Sequence, residues 1–236
     1  MATTTPSKST AFVASVLQLE PKIAVFDCDG TLWSGDAGEG FFRWELEHGL
    51  VSDDIARHIK ARHADYLAGK VSEDDMCGEM VTMHAGLSEG HLRRVTEEFF
   101  EQSFLGRIFP EMRELIERLH ASQCDVWAVS STNNWLIEAG MKFFDIPADR
   151  ILAASVEIDA DVISSRLIRV PSGPGKPRAI REVIKREPDA VFGNSRWDAD
   201  MLEIARHPFV INPNPDLEEK GRLLGWPIYW PDGTRQ

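Results

Sequence analysis

The stretch at residues 23–32 constrains the fold of this chain more than any other, because a buried strand in it runs directly into two carboxylates. Its first four residues, Ile23–Phe26, are apolar and show no helical period, which is typical of a fully buried strand. Asp27 and Asp29 follow this run, and a Gly-Thr turn follows them. In an open parallel sheet, ligands bind in the crevice beyond the carboxyl ends of the strands. Two acids placed there repel each other unless a cation or a shared proton lies between them.

Two ordinary interpretations of this stretch must be weighed. An Asp-Gly pair after a strand is typical of a simple turn, and the stretch alone leaves that interpretation open. A calcium-binding loop begins with the same D-x-D spacing, but it requires Gly at its sixth position and Glu at its twelfth. Those positions are Leu32 and Gly38 here, which excludes the calcium loop.

The region between residues 36 and 105 has helical patterns and no convincing strand. Ser52, Ser72 and Ser88 each stand directly before a run with helical spacing, where Ser is a preferred N-cap residue. We therefore predict a block of helices inserted after the first strand.

From residue 106 onward, short apolar runs alternate with amphipathic helices. This alternation is typical of βαβ units around a parallel sheet. Residues 151–170 hold short β-like pieces, which we interpret as a small hairpin beside the core. The predicted fold is α/β: a three-layer, Rossmann-like core with a parallel sheet at residues 1–35 and 106–236, and an inserted helical cap at residues 36–105.

Charge and cysteine content limit the partners and the compartment. The net charge of −12 over 236 residues argues against nucleic acid or an anionic membrane as a partner, and no apolar run reaches membrane-spanning length. The three cysteines, Cys28, Cys77 and Cys124, are far apart and odd in number, which suits a reduced, cytoplasmic protein. Residues 1–10 lack the apolar segment of a secretory signal, and we expect them to form a frayed tail.

Polar side chains follow later strands and loops of the predicted core. Ser130 ends the second strand, Lys176 opens a helix after Gly-Pro-Gly, and Asn194 and Asp198 follow the third strand. Taken singly, each has an ordinary interpretation as a turn residue, a loop lysine or a helix-start residue. Together with the D-x-D-G-T run at Asp27 they form four motifs in order. With these four motifs in this order, the sequence resembles the haloacid dehalogenase-like superfamily of phosphohydrolases, and most closely its phosphoserine-phosphatase-like branch. The resemblance covers nearly the whole chain outside the helical block and the N-terminal tail.

The resemblance implies catalytic roles for the two carboxylates. Asp27 would be the nucleophile that takes the phosphoryl group as an aspartyl-phosphate. Asp29 would be the general acid that protonates the leaving alcohol and then the base that activates water. The implied reaction is the magnesium-dependent hydrolysis of a small phosphorylated metabolite.

The phosphate-binding residues implied by the resemblance are Thr31, Ser130, Ser131 and Lys176. Phosphoryl transfer needs in-line positioning and neutralisation of the equatorial phosphoryl oxygens, and hydroxyl groups with a lysine provide both. Because a carboxylate attacks a phosphate dianion only where cations mask the repulsion, the chemistry of the motif agrees with these roles.

The metal site implied by the resemblance consists of Asp27, Asp29, Asn194 and Asp198, with Mg²⁺ as the cofactor. Magnesium suits a site with few carboxylates plus phosphate oxygens and water. Members of the family carry Asp directly after the glycine at position 193, where this chain has Asn194. An amide oxygen can still bind the metal, but the site has one negative charge fewer.

Substrate specificity is expected to involve the acidic loop after the first motif. In the branch that this chain resembles, an acid shortly after D-x-D-x-T contacts the amino group of the substrate, and Asp36 and Glu39 stand in that loop. A phosphoserine-like or phosphocholine-like substrate is the corresponding hypothesis. A solvated acidic loop that leads into the helical block is the equally open alternative.

Other functions remain to be weighed against hydrolysis. Asn194 favours a catalytically weakened module that binds phosphate compounds. Four intact residues weigh against that module: Asp27, Asp29, Ser130 and Lys176. A phosphotransferase or a dehalogenase is a second alternative among enzymes, and the presence of Asp29 argues against the dehalogenase, which has no need of that acid. We interpret His58 and His63 as part of a solvated basic face. The tryptophans are expected to pack in the core rather than to form a cage for a quaternary amine.

Overall fold

The computed structural model describes residues 7–234, which contain a single seven-stranded sheet. The strands are β1 Ile23–Phe26, β2 Asp125–Asn133, β3 Ile151–Asp159, β4 Val162–Arg169, β5 Ala190–Gly193, β6 His207–Ile211 and β7 Ile228–Tyr229. They lie in the order β4-β3-β2-β1-β5-β6-β7. All neighbouring pairs are parallel except β3 and β4, which are antiparallel. The central position of β1 brings the carboxyl ends of β1, β2 and β5 to one edge of the sheet.

Helices cover both faces of this sheet. They are α1 Lys8–Leu17, α2 Ala37–Glu47, α3 Asp53–Leu67, α4 Glu73–Thr82, α5 Glu89–Ser103, α6 Pro110–Ala121, α7 Asn134–Met141, α8 Gly175–Val183, α9 Ala199–Glu203 and α10 Pro215–Leu224. Because successive residues of a strand point to opposite faces, Ala24 and Phe26 pack in a cluster with α1, α6 and α7, and Ile23 and Val25 pack in a second cluster with α8, α9 and α10. The core therefore has three layers, as predicted.

The predicted block of helices is formed by α2–α5. The three predicted N-cap serines each accept a hydrogen bond from the backbone N–H three residues further on. Phe42, Ile59 and Met76 form a small apolar cluster within the block, whereas Phe41 and Phe100 belong to the main cluster of the sheet. The block is therefore anchored to the core on one side and has an apolar centre of its own on the other.

Two local predictions were wrong. The expected frayed tail is helical at residues 8–10, because the Ser7 side chain accepts a hydrogen bond from the Thr10 N–H and caps α1, whose Phe12 and Val16 are buried. Residues 1–6 lie outside the described part of the chain.

The predicted hairpin is present, but it does not lie beside the core: β3 pairs with β2 in parallel and extends the main sheet.

Within residues 7–234, no helix is both long enough and apolar enough to cross a membrane.

Candidate active site

Asp27 lies at the end of the central strand and is held by a buried lysine. Its backbone N–H donates to the Phe192 carbonyl at 2.9 Å, which continues the pairing of β1 with β5. Lys176 Nζ donates to Asp27 Oδ1 at 2.7 Å and to Asp198 Oδ1 at 2.5 Å. The lysine is 2% exposed and Asp27 is 6% exposed. A single ammonium group therefore bridges two buried carboxylates.

The geometry of Lys176 depends on the turn that begins α8. Gly173 has φ +44°, and a Cβ on Gly175 would lie 2.8 Å from the Val170 carbonyl oxygen, so a side chain at position 175 would collide with backbone. These two glycines allow the turn to lie close enough for the lysine to reach β1. The Gly-Pro-Gly-Lys run is thus a structural requirement of the site.

Burial and charge determine the protonation behaviour of this pair of carboxylates and their lysine. Burial, followed by the negative charge of Asp198, raises the pKa of Asp27 from 3.8 to about 6, although Lys176 and Thr31 oppose the shift. Burial by itself would lower the pKa of Lys176, but the charges of Asp198 and Asp27 outweigh it and raise that pKa. Lys176 therefore stays charged.

Asp29 is held by donors from three different segments. Its Oδ1 accepts from the Trp33 indole N–H at 2.8 Å and from the Ala37 N–H at 2.5 Å, and its Oδ2 accepts from the Thr132 hydroxyl at 2.9 Å. Burial and the charge of Asp36 raise the pKa of Asp29 to about 7, while the bonds from Ala37 and Trp33 oppose the rise. A carboxyl group with this pKa can both give and take a proton near neutral pH.

The predicted phosphate-binding hydroxyls lie close to Asp27. The Thr31 hydroxyl donates to Asp27 Oδ2 at 2.9 Å and is fully buried. Ser130 and Ser131 line the cleft above Asp27, and Ser130 Oγ accepts from the Thr132 N–H at 3.2 Å. These side chains come from the turn after β1 and from the last residues of β2, which the pairing of the two strands brings together.

Gly30 and Asn194 meet at the same edge of the sheet. Gly30 has φ +74°, and a Cβ there would lie 1.8 Å from Asn194 Nδ2. The Asn212 side chain donates to the Gly30 carbonyl at 3.1 Å and holds the turn from the other side. Gly30 is therefore required both for its left-handed backbone and for the close approach of Asn194.

Asp198 is fully buried and turned away from the cleft. Its Oδ2 accepts from the N–H groups of Asn194 and Ser195, each at 2.9 Å, and its Oδ1 binds Lys176. Asp198 thereby fixes the loop after β5 and supplies negative charge from beneath the site.

The structure gathers most predicted site residues around one cleft of about 470 Å³. Its lining includes the predicted residues Asp27, Asp29, Asp36, Ser130, Ser131, Lys176 and Asn194. Thr31 and Asp198 contact these residues from below. The sequence-based reasoning missed Thr132, Asn212 and Asn214, which also line the cleft. Thr132 directly follows the predicted Ser130-Ser131 pair, whereas no sequence signal distinguishes the two asparagines.

The oxygen atoms around the cleft fit a hard divalent cation. Asp27, Asp29 and Asn194 border it, and carboxylate, main-chain and amide oxygens are the ligand types that Mg²⁺ accepts. Within residues 7–234 no group of three or more acidic, His or Cys side chains could hold a metal ion, so amide or main-chain oxygens are needed to complete a site. The repulsion between the buried charges of Asp27 and Asp198 is a feature that a cation would relieve.

A second cavity, of about 90 Å³, adjoins the cleft on the side of the helical block. Asp36 lines both, and its Oδ1 accepts from the Glu39 N–H at 2.7 Å as the N-cap of α2. Glu39 lies within this cavity and pairs with Arg43 at 2.7 Å and with His63 at 3.0 Å. The interpretation of His63 as a solvated residue is therefore wrong: its side chain is 16% exposed, because it turns inward to Glu39.

The four tryptophans considered for a cage, Trp33, Trp44, Trp127 and Trp135, pack against the apolar core as predicted, although Trp44 is only partly buried. Trp33, Trp127 and Trp135 are buried, and Trp33 packs edge-on against Phe100 at a ring-centroid distance of 5.0 Å. No aromatic cage forms among these three. Trp33 has a further role as a donor to Asp29, which packing arguments alone did not predict.

Comparisons with known proteins agree with this architecture. The family model for haloacid dehalogenase-like hydrolases matches residues 24–203. A histidinol-phosphatase of Neisseria meningitidis is 23% identical over 218 residues, which cover 87% of this chain and 97% of that protein.

Two solved structures share the fold. A protein of unknown function from Bordetella pertussis has a TM-score of 0.77 at 19% identity, with 88% of this chain and 97% of that chain covered. A phosphoserine phosphatase with an analogue of its phospho-aspartyl intermediate has a TM-score of 0.59 at 16% identity, with 89% and 92% covered.

These findings confirm the predicted α/β fold and the predicted enzyme class, a phosphoric monoester hydrolase. Because the family model matches most of its length, the chain belongs to the haloacid dehalogenase-like hydrolase family.

Proposed function

We propose that the protein hydrolyses a small phosphomonoester, with magnesium, through an aspartyl-phosphate on Asp27. The observation that carries this proposal is the buried trio in which Lys176 binds both Asp27 and Asp198 at the edge of the cleft. The lysine fixes the Asp27 carboxylate and offers positive charge where a phosphoryl group would lie. A fixed nucleophile next to a cation is what phosphoryl transfer requires.

The reaction has two steps. An Asp27 oxygen forms a bond to phosphorus, the bond from phosphorus to the ester oxygen breaks, and Asp29 gives its proton to the departing alcohol. Asp29, now ionised, takes a proton from water, and the water oxygen attacks the aspartyl-phosphate. The bond from phosphorus to Asp27 breaks, and inorganic phosphate leaves. A pKa of about 7 suits Asp29 to both proton transfers.

The remaining side chains hold the phosphoryl group in place. Thr31, Ser130 and Ser131 provide hydroxyl donors near Asp27, and Lys176 balances the charge of the equatorial oxygens. Bound Mg²⁺ would add positive charge at the phosphoryl oxygens, with Asp27, the main chain at Asp29 and Asn194 as its protein ligands and Asp198 beneath them.

The helical block at residues 36–105 is proposed to act as a cap that excludes water from the site. Its residues Asp36, Tyr66 and Glu73 line the same cleft as Asp27, which supports this role. A water-poor site strengthens the electrostatic contacts and protects the aspartyl-phosphate. A cytoplasmic location is part of this proposal, since three unpaired cysteines suit a reducing compartment.

The substrate proposal is a small ester of the phosphoserine or phosphocholine kind, with Asp36 and Glu39 near its amine. The Neisseria relative is named a histidinol-phosphatase, and several structural neighbours are named phosphoserine phosphatases. The lack of a carboxylate at Asn194 favours one alternative, a weakened module that binds phosphate compounds without turnover.

A screen of phosphorylated metabolites, each with Mg²⁺ and with EDTA, tests the proposal. We expect phosphate release that requires Mg²⁺, and we expect Asp27→Asn to abolish it while the fold is retained, because the change is nearly isosteric. Release of phosphate by Asp27→Asn at a rate close to that of the wild type would contradict the role of Asp27. Binding of phosphate esters without turnover by the wild type would favour the weakened module.

A further inference from the structure

The cavity of about 90 Å³ under the helical block is continuous with the catalytic cleft. Asp36, Tyr66 and Glu73 line both spaces, as do Ser131 and Thr132 at the end of β2. A phosphoryl group on Asp27 would lie in the cleft, so the alcohol bonded to it would extend into this cavity. The walls of the cavity therefore contact the leaving group of the substrate.

Negative charge dominates these walls. Three carboxylates face the space, from Asp36, Glu39 and Glu73, and none of the described residues that line it is Lys or Arg. The one basic side chain in the lining, His63, already binds Glu39 Oε2 at 3.0 Å. Even with a protonated imidazole, two carboxylates would remain without a positive partner in the cavity.

Glu73 is the clearest of these unneutralised groups. It is the first residue of α4, and its Oε2 accepts the Tyr66 hydroxyl. Its Oε1 has only the Cys77 thiol at 3.9 Å, which is a weak donor. Burial raises the pKa of Glu73, although the positive charges of Lys176 and Arg196, neither of which lies within ion-pair distance, oppose the shift.

The rest of the lining is apolar and polarisable. Met76, Met80 and the ring of Tyr66 border the same space. Methionine and aromatic side chains accommodate the carbon body of an organic cation, and an aromatic face attracts its charge. The cavity is small, at about 90 Å³, so it suits a compact head group.

We infer that this cavity selects a phosphate ester of a compact alcohol that carries a protonated amine, a quaternary ammonium or an imidazolium group and no carboxylate. The inference rests on the proposed phosphatase function and narrows its substrate class. A carboxylate on the substrate would face Asp36 and Glu73 with no cation from the cavity walls to bind it. Repulsion between like charges in this cavity therefore disfavours a substrate that carries a carboxylate.

Specificity constants for matched esters test the inference. Phosphoethanolamine, phosphocholine and histidinol phosphate supply the three kinds of cation, propyl phosphate is neutral in its alcohol, and O-phosphoserine adds a carboxylate to an amine. With Mg²⁺ present, we expect kcat/KM for at least one cationic ester to exceed that for both propyl phosphate and O-phosphoserine by on the order of tenfold or more. The cationic ester with the highest kcat/KM shows which kind of cation the cavity prefers.

Glu73→Gln supplies the matched variant, because it removes the charge and keeps the shape. We expect it to lower the ratio of kcat/KM for the preferred cationic ester to kcat/KM for propyl phosphate on the order of tenfold. Asp74→Asn removes the same charge from the same helical turn at an exposed position and should leave the preference intact. Tyr66→Phe frees Glu73 Oε2 and should keep the preference or raise it.

The outcomes separate the two levels of the proposal. Hydrolysis of all five esters with equal kcat/KM, or a preference for O-phosphoserine, would overturn the cationic head group and leave the phosphatase function standing. Equal loss of preference in Glu73→Gln and Asp74→Asn would overturn the role of Glu73. Absence of any Mg²⁺-dependent hydrolysis, para-nitrophenyl phosphate included, would overturn the proposed function and this inference with it.

Discussion

The two ends of the site are built in opposite ways. We call the surroundings of Asp27, where we propose that the phosphoryl group binds, the phosphoryl end, and the cavity lined by Asp36 and Glu73, where we propose that the alcohol binds, the leaving-group end. At the phosphoryl end, Asp27, Lys176 and Asp198 are at most 6% exposed, and each carboxylate binds the lysine. At the leaving-group end, Asp36 is exposed and Glu73 is half-buried, and Glu73 forms no ion pair within residues 7–234. At the first end one ammonium group binds both carboxylates, whereas at the second the carboxylates direct negative charge toward the ligand.

This difference matches what each end has to do. In-line phosphoryl transfer loses rate steeply when the reacting groups shift by about 1 Å, so the nucleophile and its cation need a rigid, buried frame. Recognition of an alcohol that carries a cationic group needs negative charge on the cavity wall. Helices of an inserted block can supply that charge without disturbing the sheet. Substitutions at the two ends should therefore change different quantities.

The largest effect is expected from Lys176→Met. Loss of the ammonium leaves two carboxylates buried without a cation, which should lower the free energy of unfolding by about 3–5 kcal/mol. Loss of the charge near the phosphoryl group should lower kcat on the order of 10³-fold. Urea unfolding and para-nitrophenyl phosphate hydrolysis measure the two changes.

Lys142→Met is the matched control for that change. Lys142 pairs with Glu97 at 2.6 Å, but its side chain is 58% exposed, so its removal should alter the free energy of unfolding by less than about 1 kcal/mol. Similar losses of stability in the two variants would contradict the rigid character of the phosphoryl end, in which one buried lysine holds two carboxylates.

The free energy of unfolding should also depend on pH, through the carboxyl groups of the phosphoryl end. In the metal-free protein the pKa values of Asp27 and Asp29 are raised from 3.8 to about 6 and about 7, so between about pH 4 and 7 the folded state binds more protons than the unfolded state. The free energy of unfolding should therefore fall as pH rises through that window. Asp29→Asn should make the decline shallower, as measured by urea midpoints in EDTA. Parallel curves for the variant and the wild type would show that Asp29 titrates alike in both states.

Asn194→Asp should tighten the metal site. A carboxylate next to Gly30 adds one charge near the proposed magnesium position, worth about 1–4 kcal/mol before repulsion with Asp27 is counted. We expect on the order of a tenfold lower Mg²⁺ concentration for half-maximal activity, since about 1.4 kcal/mol is a factor of ten. Magnesium titrations followed by activity and by calorimetry measure it. Unchanged or weaker affinity would mean that Asn194 is not a ligand.

The smallest effect is expected at the leaving-group end, from Asp36→Asn. Because Asp36 caps α2, Asn is the suitable replacement: its side-chain oxygen keeps the cap, whereas Ala would lose it. KM for an amine-bearing ester should rise by about three- to tenfold, with para-nitrophenyl phosphate unaffected. Asp53→Asn, at an exposed position at the start of α3, is the control. Equal effects on both substrates would contradict the proposal that Asp36 recognises the amine.

The sequence predicted that Asp27, Ser130 and Asn194 lie at one edge of the sheet, because these residues follow strands. Asp27, Ser130 and Asn194 each stand at or near the end of a β-rich run, and parallel pairing brings such ends to one edge. The serine N-caps were predicted for a similar reason, since a cap is a local signal.

The leaving-group end was not predictable in the same way. Tyr66 and Glu73 meet because α3 and α4 pack as a pair, and His63 turns inward toward Glu39 on a third helix. None of these contacts has a fixed spacing in the chain. The same holds for Asn212, whose side chain reaches Gly30 from a distant loop. Long-range packing, rather than local pattern, decides such positions.

Trapping of the covalent intermediate tests the central claim most directly. Borohydride reduces an aspartyl-phosphate to homoserine, so enzyme treated during turnover with substrate and Mg²⁺ and then analysed by peptide mass spectrometry reports which carboxylate carried the phosphoryl group. We predict homoserine at position 27 in the wild type, none without substrate, and none in Asp27→Asn. Homoserine at another aspartate, or none during demonstrable turnover, would contradict the account of Asp27 as the nucleophile.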